Sequence, residues 1–288
     1  MSSCESCKSK DNCGSASSGS CPGENENDSA SLHEKLHNES KINKVIGICS
    51  GKGGVGKSFV TSVVAAKLAR EGYKVGILDA DATGPSIPKA FGLSGKLKGS
   101  QEGIIPAISH SGIQIVSVNL LMESQEAPVL WRGPVIAGVI KQFWTDVIWK
   151  ELDLLLIDMP PGTGDVPLTV FQSIPLDGIL LVSTPQDLVS MIVNKARNMA
   201  LMMKVPVLGF IENMSYIICS HCGERQLVFG EGGVEKAASA LGIPVFDKIP
   251  LDPNITSLVD SGEIEKIHTD ILNNTVKYIA ELIDRIPE

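Results

Sequence analysis

The chain has 288 residues, 43% of them hydrophobic and 20% charged, with a formal net charge of -8. These proportions are typical of a globular protein, and the acidic balance disfavours a protein that binds nucleic acid through its phosphates. No apolar stretch approaches the roughly 18 residues that a membrane span requires, so a membrane-embedded protein is also disfavoured.

The first 40 residues differ from the rest of the chain because they are rich in Ser, Asn, Gly, Glu and Asp. Such a segment buries too little apolar surface to offset its ordering entropy, so we predict a disordered tail over residues 1–40 and a folded domain over residues 41–288. The first residues lack the apolar core of a secretory signal, which predicts a cytoplasmic protein. The tail holds four cysteines: Cys4, Cys7, Cys13 and Cys21. Metal binding is the simplest reason for such a cluster, and unpaired thiols are the alternative.

Apolar runs alternate with helical patterns after the tail. The predicted strands cover residues 45–49, 75–79, 113–118, 154–158, 179–183, 207–211 and 245–249. The predicted helices cover residues 56–70, 134–149, 188–203, 232–241 and 271–285. Continuous apolar strands are typical of sheets covered on both faces. The order therefore predicts an α/β fold, a mostly parallel sheet flanked by helices, with ligand sites at the carboxyl ends of its strands.

A glycine-rich loop joins the first strand to the first helix. Its residues are Gly51, Lys52, Gly53, Gly54, Val55, Gly56, Lys57 and Ser58. Glycines in this context let backbone N–H groups surround phosphate oxygens at a helix N-terminus. We expect this P-loop to bind ATP, with Lys57 reaching the β- and γ-phosphates and Ser58 ligating Mg²⁺. Lys52 is either a solvated surface lysine or a second cation directed at phosphates, including those of a facing subunit.

Acidic residues end two of the predicted strands. Asp158 is placed to hold Mg²⁺ through water, and Gly162, after two prolines, can direct its N–H at a γ-phosphate. Asp79 and Asp81 end the second strand, and we expect Asp81 to orient the attacking water. Asp79 is either a second candidate for that role or a capping residue.

Cys219 and Cys222 form a CxxC pair in a predicted loop. Two thiolates cannot close a four-ligand site, but two copies of the chain would supply enough for a [4Fe–4S] cluster or a zinc ion. His221 is an alternative zinc ligand. A redox dithiol is a further alternative, which Gly223 disfavours because such motifs open a helix. Cys49, inside an apolar strand, is predicted to be an inert buried thiol.

Residues 51–58 resemble the deviant Walker A motif of the MinD/ParA/nitrogenase-iron-protein class, in which the extra lysine reaches the nucleotide of the partner subunit. Within that class the chain is most similar to the Mrp/ApbC family of iron–sulfur cluster carrier ATPases. The resemblance rests on residues 79–88, 131–134, 158–165, 183–186, 212–215, 249–253 and the Cys219/Cys222 pair. These segments span residues 44 to about 255, nearly the whole predicted domain.

The resemblance implies a homodimer that bridges one [4Fe–4S] cluster through Cys219 and Cys222 of both chains and transfers it to apo iron–sulfur proteins. It also implies slow, dimer-dependent ATP hydrolysis, with Asn213 near the adenine and Asp81 in the first switch. Some family members carry a second cluster on an N-terminal extension where Cys-Pro-Gly precedes a CxxC. Here the CxxC comes first, and Cys-Pro-Gly follows at residues 21–23.

Two other functions fit part of the pattern. One is a positioning ATPase of the ParA/MinD kind, acting on DNA or membrane, and the other is a zinc-stabilised nucleotide switch. The last predicted helix, residues 271–285, carries acidic residues rather than a lysine-rich polar face, so we expect no membrane attachment. The predicted partners are a second copy and apo iron–sulfur proteins, with neither nucleic acid nor membrane.

Overall fold

The computed structural model describes residues 33–82, 84–121, 133–162, 164–185, 198, 201–230 and 233–285. The four tail cysteines and most of the predicted helix over residues 188–203 lie outside these residues. The strands of the main sheet are β1 (Lys41–Ser50), β2 (Val75–Asp79), β5 (Ala107–Ile108), β6 (Gln114–Ser117), β7 (Glu151–Asp158), β8 (Gly178–Ser183), β9 (Val207–Glu212) and β12 (Val245–Lys248). Two small hairpins pair β3 (Lys98–Gly99) with β4 (Ile104–Ile105), and β10 (Ile217–Ile218) with β11 (Arg225–Gln226).

The main sheet has the strand order β12-β9-β8-β1-β7-β2-β6-β5 in the described part of the chain. All of its neighbouring strands are parallel except β5, which runs antiparallel to β6. The predicted α/β fold with a mostly parallel sheet is therefore confirmed. Each predicted strand is present, with bounds that differ by a few residues.

Helices cover both faces of this sheet. They are α1 (Lys57–Arg70), α2 (Ser86–Ala90), α3 (Gly133–Thr145), α4 (Asp165–Ser173), α5 (Gly233–Leu241), α6 (Pro253–Asp260) and α7 (Asn273–Asp284). Apolar residues of α1, α2, α6 and α7 pack in one buried cluster, and those of α3, α4 and α5 pack in the other. Alternate residues of β1 enter the two clusters, since Ile46 and Ile48 face α1 while Val45 and Cys49 face away. This two-sided burial explains why the central strands are apolar without interruption.

The third helix is shorter than its sequence pattern predicts. The apolar spacing continues to residue 149, but α3 ends at Thr145. After Thr145, the backbone forms hydrogen bonds with the short strand β4 instead of continuing the helix. Ile104 N–H donates to Asp146 O at 2.8 Å, and Ile148 N–H donates to Ile104 O at 2.9 Å. Val147 and Ile148 are buried in this turn, so they keep the apolar pattern without being helical.

Three helices were not predicted. They are α2, α4 and α6, all of nine residues or fewer, and each carries a proline within its first three residues. Proline ends a helix in its interior but is tolerated in the first turn, where no intrahelical N–H partner is needed. Short length and an early proline hide these helices from a search for periodic apolar residues.

Residues 33–40 belong to the predicted tail but contact the domain. Glu34 N–H donates to Ser173 O at 2.8 Å, and Trp144 Nε1–H donates to Glu34 O at 2.9 Å. Ser40 Oγ donates to Val147 O at 3.2 Å. The part of the chain that the structure describes thus already begins on the surface of α3 and α4, and the tail boundary at residue 40 stays a prediction.

The carboxyl ends of the parallel strands all lie at one edge of the sheet. Ser50, Asp79, Asp158, Ser183 and Glu212 each end a strand there. This edge collects the polar residues from which a site can be built. Among the described residues, no helix is long and apolar enough to cross a membrane.

Candidate functional site

The P-loop wraps tightly between β1 and α1. Gly54 and Gly56 have φ angles of 77° and 84°, a left-handed conformation that glycine adopts without steric cost. Gly56 has a second constraint, because a Cβ atom at this position would strike the side-chain amide of Asn213. That amide donates to Val55 O at 2.9 Å, so Asn213 holds the loop from the end of β9.

Lys57 begins α1 and is buried, with a side chain 5% exposed. Its Nζ lies 2.8 Å from Asp158 Oδ1 and 3.5 Å from Asp81 Oδ2. Burial alone would lower the pKa of Lys57, but the two carboxylates outweigh it and raise the pKa above its usual value. The ammonium group is therefore charged and lies against these two carboxylates.

Asp158 is fully buried at the end of β7 and accepts hydrogen bonds from α1. Ser58 Oγ donates to Asp158 Oδ2 at 2.5 Å, and Thr61 Oγ1 donates to Asp158 Oδ1 at 2.9 Å. The two predicted Mg²⁺ ligands, Ser58 and Asp158, are thus in direct contact. Hydroxyl and carboxylate oxygens are the ligands that Mg²⁺ prefers, so this pair fits the ion.

Asp79 lies beside Asp158 in the register of β2 and β7. Its carboxylate accepts from Ser117 Oγ at 2.7 Å and from the Asp81 N–H at 3.0 Å. Burial, and then the negative charge of Asp158, raise the pKa of Asp79 well above its ordinary value, although these hydrogen bonds and Lys57 oppose the rise. Asp79 thus holds the backbone of Asp81 through this hydrogen bond, and the choice between a water-orienting and a capping role for Asp79 stays a prediction.

Gly162 lies in the turn after Asp158 with a φ of 86°. Its N–H, which we predict to reach a γ-phosphate, donates to Ser50 O at 2.9 Å. This bond joins the turn to the start of the P-loop. Lys52 is half-buried in the same loop, and its carbonyl accepts from Ser50 Oγ at 3.1 Å.

A cavity of about 390 Å³ opens over these groups. Residues 53–58, Asp81, Pro161 and Met214 line it together with apolar residues of α1, α2 and α6. Its volume lies in the range of small-molecule sites. The cavity brings the P-loop, Asp81 and Met214, which follows β9 in the chain, to one place.

Cys219 and Cys222 lie in the turn of the β10–β11 hairpin. Cys219 N–H donates to Glu224 O at 2.9 Å, and Gly223 N–H donates back to Cys219 O at 2.9 Å. Cys219 is half-buried and Cys222 is exposed. Hydrogen bonds from the backbone of Cys222 and His221, and then from the Cys222 side chain, lower the pKa of the Cys219 thiol. The turn therefore favours a thiolate, the form that binds metal.

The thiol pair does not form a complete metal site by itself. Among the described residues, no group of three or more His, Cys, Asp or Glu side chains is arranged to hold a metal ion. His221 is thus not assembled with the two thiols into such a group. Cys49 lies in β1 and is buried, and burial raises the pKa of its thiol to about 12.

Three polar residues around the acids were not predicted: Ser117, Asn119 and Thr61. Asn119 Nδ2 donates to Gly84 O at 3.0 Å, which fixes the loop that follows Asp81. Ser117 and Asn119 follow the apolar run of β6 at its carboxyl end, so their position was a usable signal. Thr61 offered less, because only the packing of α1 against β7 brings it to Asp158.

A family model described as ParA, the NUBPL iron-transfer P-loop NTPase, matches residues 41–286. Curated relatives named iron–sulfur cluster carrier protein are similar over most of the chain. The protein of Clostridium perfringens is 47% identical over 276 residues, which are 92% of this chain and 94% of that protein. The protein of Methanocaldococcus jannaschii is 48% identical over 227 residues, 78% of each chain.

Solved structures of P-loop proteins are also similar to this chain. The nucleotide-binding protein of Archaeoglobus fulgidus in complex with ADP, in which cobalt was found, is 46% identical, with a TM-score of 0.71 over 80% of this chain and 90% of that one. The cell division ATPase MinD of Pyrococcus furiosus has a TM-score of 0.63 at 21% identity, over 83% of this chain and 99% of that one. The second likeness concerns the fold alone.

Proposed function

This chain belongs to the NUBPL iron-transfer P-loop NTPase family, and from that premise we propose that it is an ATP-dependent iron–sulfur cluster carrier. Two copies of the chain hold one [4Fe–4S] cluster as cargo between their Cys219 and Cys222 thiolates and deliver it to apo iron–sulfur proteins. ATP binding and slow hydrolysis at the P-loop control the pair of chains. The carrier acts in the cytoplasm without nucleic acid or membrane.

The observation that carries this proposal is the half-site at the β10–β11 turn. One chain presents two thiols, one exposed and one half-buried, in a hydrogen-bonded turn that favours a thiolate. In the described part of the chain, no further side chains complete a group with them that could hold a metal ion. A [4Fe–4S] cluster takes four thiolates, which two such turns supply when a two-fold axis brings them together.

The surface around the thiols supports contact with a second copy. Ile218 and Leu227 are 57% and 54% exposed, and Val228 and Phe229 are 44% and 39% exposed. Large apolar side chains grouped beside one exposed hairpin are typical of an interaction surface. Their burial between two chains would exclude water from the cluster that the thiols hold.

The phosphate site supplies the chemistry for the control step. Lys57 would bind the β- and γ-phosphates, and Ser58 and Asp158 would hold Mg²⁺, which neutralises charge on the phosphates when bound. Asp81 would orient the attacking water, and Asn213 would lie near the adenine. Lys52 of the facing chain would stabilise the charge that develops on the transferred phosphoryl group.

Anaerobic purification tests the proposal. We expect a brown protein that absorbs broadly near 400 nm and contains iron and inorganic sulfide. Replacement Cys219→Ala should remove both, while nucleotide binding at the distant P-loop should remain. As a matched control, the variant Ser220→Ala changes a residue between the two cysteines and should keep the cluster.

The same preparation separates the rival functions. Stoichiometric zinc in a colourless protein would indicate a zinc-stabilised nucleotide switch, and retained binding to DNA or lipid without iron would indicate a positioning ATPase. Deletion of residues 1–32 tests the tail cysteines separately. If the tail binds a second cluster, this deletion lowers iron per chain without unfolding the domain, and unchanged iron would remove the tail as a cluster site.

A further inference from the structure

A short segment connects the nucleotide cavity to the thiol turn. Asn213 contacts the P-loop and Cys219 begins the turn, so only residues 214–218 separate them in the chain. Even a fully extended chain from Asn213 to Cys219 would be only about 20 Å long. We call residues 213–218 the connecting segment.

The nucleotide end of the connecting segment is fixed to the P-loop. Asn213 is 5% exposed, and besides its bond to Val55 O its N–H donates to Ser183 O at 2.8 Å. Its amide packs so closely on Gly56 that no side chain fits there. Met214 lines the nucleotide cavity and has a φ of 56°, a left-handed conformation that is costly for a residue with a side chain. A change in the P-loop therefore acts directly on this end.

The middle of the segment is held along its length. Ser215 N–H donates to Ile249 O at 2.9 Å, and Leu251 N–H donates to Tyr216 O at 2.8 Å. Ser215 Oγ also donates to the buried carboxylate of Glu212. Because its backbone is paired on both sides of Ser215, the segment transmits a displacement instead of absorbing it as a flexible linker would.

The thiol end of the segment is braced by an aromatic contact. The guanidinium of Arg225 lies 4.7 Å from the centroid of the Tyr216 ring, a cation–π geometry. Arg225 pairs with Ile218 in the hairpin, directly before Cys219. Tyr216 thus contacts the strand on the far side of the thiol turn, and its movement would change how the two strands of the hairpin meet.

The hairpin also has space to move. A cavity of about 1080 Å³ separates Ile217, Ile218 and Ser220 from the start of α6. It shares no lining residue with the nucleotide cavity. A hairpin that is braced at its base and unpacked on one side can take more than one position at small cost.

We propose that the connecting segment couples nucleotide binding to the geometry of the Cys219/Cys222 pair, with Tyr216 and Arg225 as positioning residues. The inference rests on the proposed function, since it assumes nucleotide in the first cavity and cargo on the thiols. Its consequence is reciprocal: a ligand that fixes the two thiols changes the affinity for nucleotide by the same factor by which nucleotide changes the affinity of that ligand.

The test uses ADP and phenylarsine oxide, a trivalent arsenical that joins the two thiols of a CxxC pair in one chain and releases water. The full chain carries Ser at the four tail cysteines, 4, 7, 13 and 21, so that the arsenical binds only Cys219 and Cys222. Titration calorimetry measures the ADP dissociation constant with and without arsenical. We expect a change of at least about fivefold, the lower end of ordinary coupling between two sites.

Variants assign the coupling to the segment. Tyr216→Ala and Arg225→Ala should each abolish the change while the arsenical-free chain keeps its ADP affinity, and Tyr216→Phe should retain it because the ring remains. Arg225 is exposed, so its replacement should leave the fold intact, which circular dichroism checks. Coupling that persists in both alanine variants would overturn the proposal, as would identical ADP affinity with and without arsenical.

Two chain concentrations distinguish the segment from dimer formation. An effect carried within one chain is the same at both concentrations, whereas one that grows with concentration would arise between chains and contradict the proposal. Neither ADP nor the arsenical requires iron. A failure here therefore leaves the cluster proposal standing, and a chain that carries no cluster leaves this coupling measurable.

Discussion

Lys52 and Lys57 lie in the same loop but in different surroundings. Lys57 is buried against Asp158 and Asp81, whereas Lys52 is half-buried at the start of the loop. The first arrangement fits a residue that binds phosphates within its own chain. The position of Lys52 is compatible with a contact to the nucleotide of a facing chain.

Replacement of each lysine by alanine should therefore impair a different step. Lys57→Ala should abolish nucleotide binding, since it removes the buried cation of the phosphate site. Lys52→Ala should bind ATP normally but hydrolyse it at least about a hundredfold more slowly, the usual cost of losing a group that stabilises transition-state charge. Calorimetry and phosphate release measure the two effects. Normal hydrolysis by Lys52→Ala would show that the cross-subunit role is wrong.

Asp79 predicts a pH dependence of stability. Its raised pKa means that the folded chain keeps a proton above the ordinary Asp value of 3.8, where the unfolded chain has lost it. The folded state then binds more protons, so the free energy of unfolding falls as pH rises through this window. Asp79→Asn removes that titration.

We expect urea unfolding of Asp79→Asn, followed as the pH rises above the ordinary Asp value of 3.8 and without nucleotide or Mg²⁺, to show a smaller fall in stability than the unsubstituted chain. Each measurement compares unfolding free energies at matched ionic strength. Parallel curves for the two chains would mean that Asp79 is ionised in the folded protein across this range.

The cysteines predict a difference in reactivity. In the chain with Ser at the tail positions, the rate at which iodoacetamide modifies Cys219 should reach half its maximum below pH 9.0, the ordinary pKa of a cysteine thiol. The reason is that backbone hydrogen bonds lower the pKa of the Cys219 thiol. Cys49 should stay unmodified, since burial raises the pKa of its thiol to about 12. Peptide mass spectrometry assigns the modified residue. Modification of Cys49 at the rate of Cys219 in the folded chain would contradict this account, and urea should expose Cys49 as a control.

At the scale of elements, the strands were predictable and part of the helices was not. Residues 45–49 and 154–158 form strands as predicted because burial on both faces leaves an uninterrupted apolar run. The helix α4 was missed because it has nine residues with Pro167 in its first turn. Local patterns thus identify elements that bury both faces, but they do not detect short elements that depend on tertiary contacts.

The residues of the site likewise divide into those that the sequence predicts and those that it does not. The P-loop and Asp158 follow from sequence because the motif and the strand ends are local signals. The contact of Asp79 with Ser117 depends on the pairing of β2 with β6, and that of Tyr216 with Arg225 depends on the β10–β11 hairpin. The first contact joins residues that are distant in the chain, and the second depends on two strands of two residues each, which are too short to leave a periodic pattern.

The ends of α2 and α6 meet through two glycines, which makes a prediction for this pair of elements. A Cβ at Gly262 would lie 2.7 Å from Gly92 Cα and 2.9 Å from Gly92 N, backbone atoms that cannot move aside cheaply. Gly242 has a similar positive φ, but its Cβ would meet nothing within 4 Å. The two positions therefore separate a steric clash from conformational strain.

Gly242→Ala should lower the free energy of unfolding by about 1 kcal/mol, the cost of a left-handed residue. Gly262→Ala should cost at least about 2 kcal/mol more, since the clash adds to the strain. It should also weaken nucleotide binding, because Ala90 of α2 and Val259 of α6 line the nucleotide cavity. Urea unfolding and ADP titration measure both effects. Equal losses in the two variants would mean that the glycine contact does not hold the helices together.

For the whole molecule, the arrangement places two sites at one edge of the sheet. The P-loop follows β1 and the thiol turn follows β9, and the cavity at the P-loop includes Met214 of the connecting segment. A second copy that contacts this edge would meet the nucleotide and the thiols together. In the proposed function, this placement would let nucleotide control a cargo that two chains share.

The most direct test of the central claim is native mass spectrometry of the tail-substituted chain, prepared without oxygen. The account predicts one species with the mass of two chains and a single [4Fe–4S] cluster, which Cys222→Ser converts to chains without iron or sulfide. A cluster on a single chain, or paired chains that contain only zinc or no metal at all, would contradict it.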